Sequence, residues 1–242
     1  MLPPSLLFSE IRASPLVTVV ALFCLTVSGP LAATHPARFG SGTVQGPDLN
    51  ALIDGVQKKY SRMQGIGADF AQLYRGSDGR TIRESGSLLL KRPRKARWDY
   101  AAPERKLFVS DGKSVFFYVA GENHATRSGI KESIDPQIPF LFLLGIGNLR
   151  RDFSRIELVS SERPVLAGNV VLRLVPRRAP EEFKQLLVEV SPSSYEVRRL
   201  VIFERSGARM DFLLSNVREN FVAPDTQFQF TPPPGVTVRN AQ

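Results

Sequence analysis

Apolar and polar positions follow two periods along this chain, and the switch between them marks its organisation. Between Leu49 and Tyr60 the apolar residues Leu49, Leu52, Ile53, Val56 and Tyr60 recur every three or four positions. That is the spacing of one helix face, with Asp48 placed as an N-cap and Gly65 beyond the end. Short apolar runs follow at residues 66–74, 85–90, 96–100, 106–119, 169–175, 183–190, 198–204, 209–217 and 227–230. Turn signals separate them at Ser77-Asp78-Gly79, Ser110-Asp111-Gly112, Ser191-Pro192-Ser193 and Ser206-Gly207. With no long helical crossover among them, consecutive antiparallel hairpins are predicted rather than a doubly wound parallel sheet.

Several runs are apolar on both faces, for example residues 115–119 and Leu186-Leu187-Val188. A sheet with one wet face would alternate, so apolar material must cover both sides at least locally. The 49–60 helix covers one area. A second cover is expected at "IPFLFLLGIGNL", Ile138 to Leu149, read as a short helix. It is either an ordinary core helix or a lid over an apolar cavity, with Gly145 and Gly147 letting it move.

The stretch "SGSLLLKRPRKARWDY", residues 85–100, breaks the pattern with five cations in the seven residues 91–97. Strand alternation puts Leu88, Leu90 and Arg92 on one face and Leu89 and Lys91 on the other. Most of these cations fit a solvated turn. An unpaired guanidinium among leucines is costly, so Arg92 is expected to seek acceptors, such as the carbonyls left without partners at an end of the lid helix. Lys91, on the other face, is expected to matter far less.

Composition adds the compartment. The chain has 242 residues, 43% hydrophobic and 23% charged, suiting one soluble globular domain or two small ones. Arg12, an apolar stretch from Leu16 to Val27 and the exit Ser28-Gly29-Pro30 with Ala32 and Ala33 have the layout of a secretory signal peptide over residues 1–33. Residues 34–47 read as a flexible leader and 48–242 as a single domain. The one cysteine, Cys24, would leave with the signal. An exported chain without disulfide framework, anchor or second apolar span points to a soluble protein of the bacterial periplasm.

The net charge of +9 allows nucleic acid, an anionic membrane or acidic protein patches as partners. Export, and cation pairs scattered as Arg150-Arg151, Arg177-Arg178 and Arg198-Arg199, argue against nucleic acid. Catalysis lacks raw material. The two histidines are His35, in the leader, and His124, and no G-x-S-x-G, phosphate loop or H-E-x-x-H occurs. No enzyme activity, metal or cofactor is expected.

The segment "GSLLLKRPRKARWDYAAPERKLFVSDGKSVFFY", Gly86 to Tyr118, resembles the periplasmic outer-membrane lipoprotein carrier family, the LolA type. The shared frame is a glycine-led apolar strand, K-R-P, a tryptophan five residues after the proline, Pro103, and a D-G hairpin before an aromatic strand. Phe70 and Gln72 match the family's F-x-Q strand, Pro139-Phe140-Leu141 its P-F-x-L lid helix, and "FQFTPPPGVTV" its closing strand. Lys95 and Ala96 depart from it, standing where members often carry bulkier apolar residues.

The resemblance implies a mainly β fold with helices: a half-open antiparallel β-barrel under a helical lid, enclosing a cavity for the acyl chains of lipoproteins. It also implies a monomer taking cargo from an inner-membrane ATP-driven exporter to an outer-membrane acceptor, with Arg92 of the K-R-P motif as lid latch. Candidate cavity and lid residues are Leu88, Leu90, Trp98, Phe108, Phe116, Tyr118, Phe140, Leu141 and Leu144, each with an ordinary core role as the alternative. An acceptor itself would need a lipobox cysteine, which this sequence lacks. A carrier of another lipid or glycolipid on the same fold stays open.

Overall fold

The structure, a computed structural model, describes residues 46–129, 147–178 and 183–241. The expected signal peptide, most of the leader, and the Phe140, Leu141 and Leu144 positions lie outside the described residues.

The amphipathic stretch forms helix α1, Leu49–Arg62, whose N-cap Asp48 accepts from the Asn50 amide through its side chain. It buries the stripe Leu52, Ile53, Val56 and Tyr60. The strands that follow are β1 (Gly65–Arg75), β2 (Thr81–Lys91), β3 (Lys95–Ala102), β4 (Lys106–Asp111), β5 (Ser114–Val119) and β6 (His124–Gly129). After the one-turn helix α2 (Leu149–Asp152) come β7 (Phe153–Leu158), β8 (Val170–Pro176), β9 (Phe183–Val190), β10 (Val197–Glu204), β11 (Arg209–Glu219) and β12 (Thr237–Asn240). Among the described residues no helix is long and apolar enough to cross a membrane.

The strands make one mainly antiparallel open sheet in the order β12-β6-β5-β4-β3-β2-β1-β11-β10-β9-β8-β7. Two meanders, β1–β6 and β7–β11, join where β1 pairs with β11. The expected hairpins are therefore present, and the 106–119 run divides into β4 and β5 at its D-G turn. There Gly112 takes φ +96°, a conformation costly for a residue with a side chain.

Three strands escape the hydrophobic pattern. The polar β6, β7 and β12 lie at or next to the sheet edges, where one side of the ladder meets little apolar cover. The run at 227–230, expected as a strand, instead belongs partly to a 3-10 turn, Asp225–Phe228, that packs on β3 and β4 and buries Phe228. Pro224 before it and Pro232–Pro234 after it supply no N–H for a ladder, so the apolar residues pack onto the sheet face rather than pair at an edge. The chain then returns as β12, parallel to β6.

The sheet is covered on both faces, as the two-sided apolar strands require. The inner face carries α1 over Phe70, Leu88, Leu90, Trp98, Leu200 and Phe212, in one continuous core. Tyr60 anchors the helix to the second meander, its hydroxyl accepting from the Val197 amide at 2.8 Å; burial holds that hydroxyl's pKa far above its usual value. On the outer face the 3-10 turn covers β3 and β4, while Val171, Leu187 and Val201 form a second cluster with Val159 and Phe203. Glu189, only 1% exposed, binds the loop above that cluster by accepting from the Val165 and Leu166 amides and Asn169 Nδ2. Of the expected 138–149 cover, residues 138–146 lie outside the described residues.

Candidate functional site

The inner face of β1–β4 is an apolar wall with a polar group at each end of β2. Its centre is aromatic. The Phe70 ring meets Trp98 and Tyr100 edge-on at centroid distances of 4.9 and 5.0 Å, and Trp98 meets Phe212 at 5.6 Å. Register explains the cluster, because Leu88 pairs with Trp98 and Trp98 with Phe108, so all three side chains stand on one face. At the far end of β2 the Tyr100 hydroxyl donates to Gln72 Oε1 at 2.9 Å, and Gln72 Nε2 donates to Glu84, which pairs with Lys106. Both residues of the F-x-Q motif are thus at work here, the phenylalanine in the ring cluster and the glutamine in the polar chain.

Arg92 occupies the opposite end, eight residues along, about 26 Å at strand rise. Its Nη2 donates to the carbonyl oxygens of Tyr60 at 3.1 Å and Ser61 at 2.6 Å. These belong to the last turn of α1, whose carbonyls lack the usual partner four residues on; the Tyr60 carbonyl also accepts from the C-cap Met63 amide at 3.3 Å. Of the expected acceptors, carbonyls at an end of the 138–149 segment, those of 138–146 lie outside the described residues; among the described residues the acceptors are those of α1. The Arg92 Nε is buried and meets no acceptor among the described residues, which costs about 1–3 kcal/mol. The backbone joins the same contact, the Arg92 amide donating to the Gln64 carbonyl at 3.0 Å.

Three of the other cations in the 85–100 stretch, Lys91, Lys95 and Arg97, are also engaged. Lys91 Nζ donates to the Ala223 carbonyl at 2.8 Å and pairs with Asp225 at 2.6 Å, and Lys95 reaches the second Asp225 oxygen at 2.7 Å. Arg97 pairs with Asp99 and donates to the Gln227 carbonyl. Hydrogen bonds from the two lysines push the Asp225 carboxyl down to about 2. A solvated turn was the alternative for these residues; instead they staple the C-terminal segment to the outer face.

Leu88, Leu90, Trp98 and Phe108 stand together on the inner face and are buried. Phe116 and Tyr118 do not join them. Phe108 pairs with Phe117, so Phe117 faces inward while Phe116 and Tyr118 point outward and pack against Phe230, Phe116 stacking on it at 5.3 Å. Strand β5 is apolar on both faces, so its alternation names no inward side and only the β4 register does. Phe117 is 37% exposed, a large ring at the margin of the wall. Phe70, Tyr100 and Phe212 were also missed as wall residues, although the F-x-Q motif carried a signal for the first.

Two clefts lined by described residues lie mainly on the outer face. One, about 630 Å³, runs between β1–β5 and Phe230–Pro233 and takes Tyr118 into its lining. The other, about 840 Å³, lies between Leu73, Leu213 and the loop at Glu162–Val165. Its wall is fixed by Glu162 and Asp211, which bridge Arg199 and Arg209. Burial alone would raise the Asp211 carboxyl, but the bonds from Arg209 and Arg199 outweigh it and hold it below the usual range. No group of three or more His, Cys, Asp or Glu side chains placed to hold a metal occurs among the described residues.

The profile of the outer membrane lipoprotein carrier protein LolA family matches residues 61–231. The chain is 32% identical to an outer-membrane lipoprotein carrier protein of Bordetella avium (strain 197N) over 193 residues, 78% of this chain and 88% of the relative. It is 26% identical to the protein of the same description from Yersinia pestis bv. Antiqua (strain Angola) over 201 residues, 83% and 94% of the two chains. In fold alone it is similar to an uncharacterized conserved protein from Thermus thermophilus, with a TM-score of 0.50 and 14% identity over 79% of this chain and 98% of the other. The matched span runs from the last turn of α1 through the Arg92 hairpin to the segment beyond the 3-10 turn, and on these matches the chain belongs to the outer membrane lipoprotein carrier protein LolA family.

Proposed function

We propose that the protein carries lipoproteins through the periplasm, holding their acyl chains between the inner face of the sheet and α1. In this reading it receives cargo from an inner-membrane ATP-driven exporter, delivers it to an outer-membrane acceptor, and catalyses no reaction. Residues 1–33 direct export and are removed, and 48–242 form the carrier domain.

The observation that carries the reading is the Arg92 contact: a cation at one end of the apolar wall, bonded to the C-terminal end of the helix that covers that wall. Magnitudes explain why such a contact matters. Leu52, Ile53 and Val56 of α1 each gain about 1.5–3 kcal/mol by burial, more together than the polar contact supplies. If acyl chains take the place of α1 on the wall, apolar burial is exchanged rather than lost, and it drops out of the balance. What is left to decide between empty and loaded states is the latch. It favours the empty, closed state and so helps to expel cargo.

An acyl chain of some sixteen carbons, at about 0.8 kcal/mol per methylene, resists transfer through water by roughly 10 kcal/mol. A carrier must cover that surface yet release it, which suits a wall with few fixed polar contacts. Such a wall does not distinguish a lipoprotein from another lipid or glycolipid. Native mass spectrometry of the protein purified from its own periplasm tests the whole reading. An unlipidated chain beginning near Thr34, bearing co-purified triacylated peptides, is expected. Free lipids alone would move the cargo assignment, and the full chain from Met1 in washed membranes would overturn the reading of a cleaved, soluble mature protein.

A further inference from the structure

The tip of the β2–β3 hairpin is gripped from both sides. Lys91 and Lys95 are cross-strand partners flanking the Arg92-Pro93-Arg94 turn. On the inner side Arg92 holds α1 through the Tyr60 and Ser61 carbonyls. On the outer side the two lysines hold Asp225 at 2.6 and 2.7 Å, Lys91 holds the Ala223 carbonyl, and Arg97 holds that of Gln227.

The segment so held begins on α1 itself. Glu219 pairs with Lys59 at 2.6 Å, and Asn220 accepts from the Gln64 amide at 3.5 Å. Phe221 passes so close to Gly65 that a Cβ there would lie 2.5 Å from the Phe221 carbonyl oxygen. Residues 219–227 therefore run as a strap from the last turn of α1 to the outer side of the hairpin tip.

We propose that Lys91, Lys95 and Asp225 are positioning residues for the latch: by fixing the hairpin tip against the C-terminal strap they hold Arg92 where it reaches the carbonyls of α1. The inference rests on the carrier reading. Three features support it beyond proximity. The two ammoniums converge on one carboxylate, so a single group fixes both legs of the hairpin. Among the described residues the Arg92 Nε is buried without an acceptor, so its hydrogen bonds to them do not by themselves account for where Arg92 sits. Asp225 is itself exposed, its side chain 60% accessible, so its pairing is not dictated by burial.

Entry of an apolar fluorescent probe into the purified mature protein, followed by stopped flow, tests this in four forms: wild type, Asp225→Asn, Arg92→Leu and the double variant. Exposed ion pairs contribute modestly, so Asp225→Asn should speed entry about three- to five-fold in the wild-type background. It should add nothing once Arg92 is Leu, and Asp225→Glu should restore the wild-type rate. Amide exchange in the last turn of α1 should rise with Asp225→Asn and not with Asp78→Asn, which removes an exposed pair elsewhere.

An equal acceleration in both backgrounds would show that Asp225 acts independently of Arg92, and an unchanged rate and exchange in Asp225→Asn would overturn the proposal outright. If Arg92→Leu changes entry and Asp225→Asn does not, only the strap fails. If no form binds the probe, the carrier reading fails and takes the strap with it.

Discussion

Arg92→Leu separates a latch from a surface cation. The guanidinium donates to both helix carbonyls through Nη2, which carries two hydrogens, at 3.1 and 2.6 Å. A hydrogen bond to a charged donor contributes about 1.5–3 kcal/mol. Against it stands the buried Nε, without an acceptor among the described residues, at a cost of about 1–3 kcal/mol that leucine removes. That cost offsets only part of the gain in the folded state, so thermal stability should fall modestly. In function the loss is not offset, because the carbonyl contact exists only while α1 lies on the wall. Losing it removes part of the drive toward the empty state, and each 1.4 kcal/mol is about ten-fold. Lipid affinity should hold or strengthen, while transfer from loaded carrier to acceptor membranes slows by about ten-fold or more. Labelled-cargo transfer, with the melting temperature measured alongside, is the assay. Equal transfer rates in variant and wild type, with folding intact, would refute the latch. Lys91→Leu is not the silent comparison that its outward direction suggested, since Lys91 holds Ala223 and Asp225; Lys113→Leu, in the β4–β5 turn, serves instead.

Phe117→Ala should weaken apolar-probe binding several-fold and Phe116→Ala should not, because Phe117 faces the wall and Phe116 stacks on Phe230; the reverse order in a titration would mean that the β4–β5 register is not the functional one. The strap should respond to salt rather than to mild acid. Asp225 is held at about 2, below its ordinary value, so its pairing is intact above the ordinary value and lost only as pH falls through about 2. The rate difference between wild type and Asp225→Asn should therefore persist from pH 7 to pH 5 and shrink between about 0.01 M and 1 M salt, as the screening length falls from about 30 to 3 Å. A difference that vanished by pH 5 would assign the effect to another group.

Local patterning determined most of the elements of this protein, though not β6, β7, β12 or the 3-10 turn. The three-to-four spacing of Leu49 to Tyr60 reads as α1 because burial of one stripe is the only way that stretch gains free energy. The D-G and S-G turns place their hairpins because only glycine takes the required backbone without strain. Strand alternation alone also put Arg92 beside Leu88 and Leu90 and aimed Lys91 the other way. Tertiary structure decided what no local period encodes. Which face of β5 looks inward depends on its register with β4, a one-residue choice that exchanges Phe116 for Phe117. Which carbonyls meet Arg92 depends on α1 lying across the sheet, more than thirty residues upstream. The destination of the lysines depends on a proline-flanked segment that cannot enter the ladder and so lies over the outer face, where Asp225 meets two cations more than a hundred residues away in sequence. Charge and alternation specify that a side chain needs a partner and on which side; only the path of the whole chain supplies it.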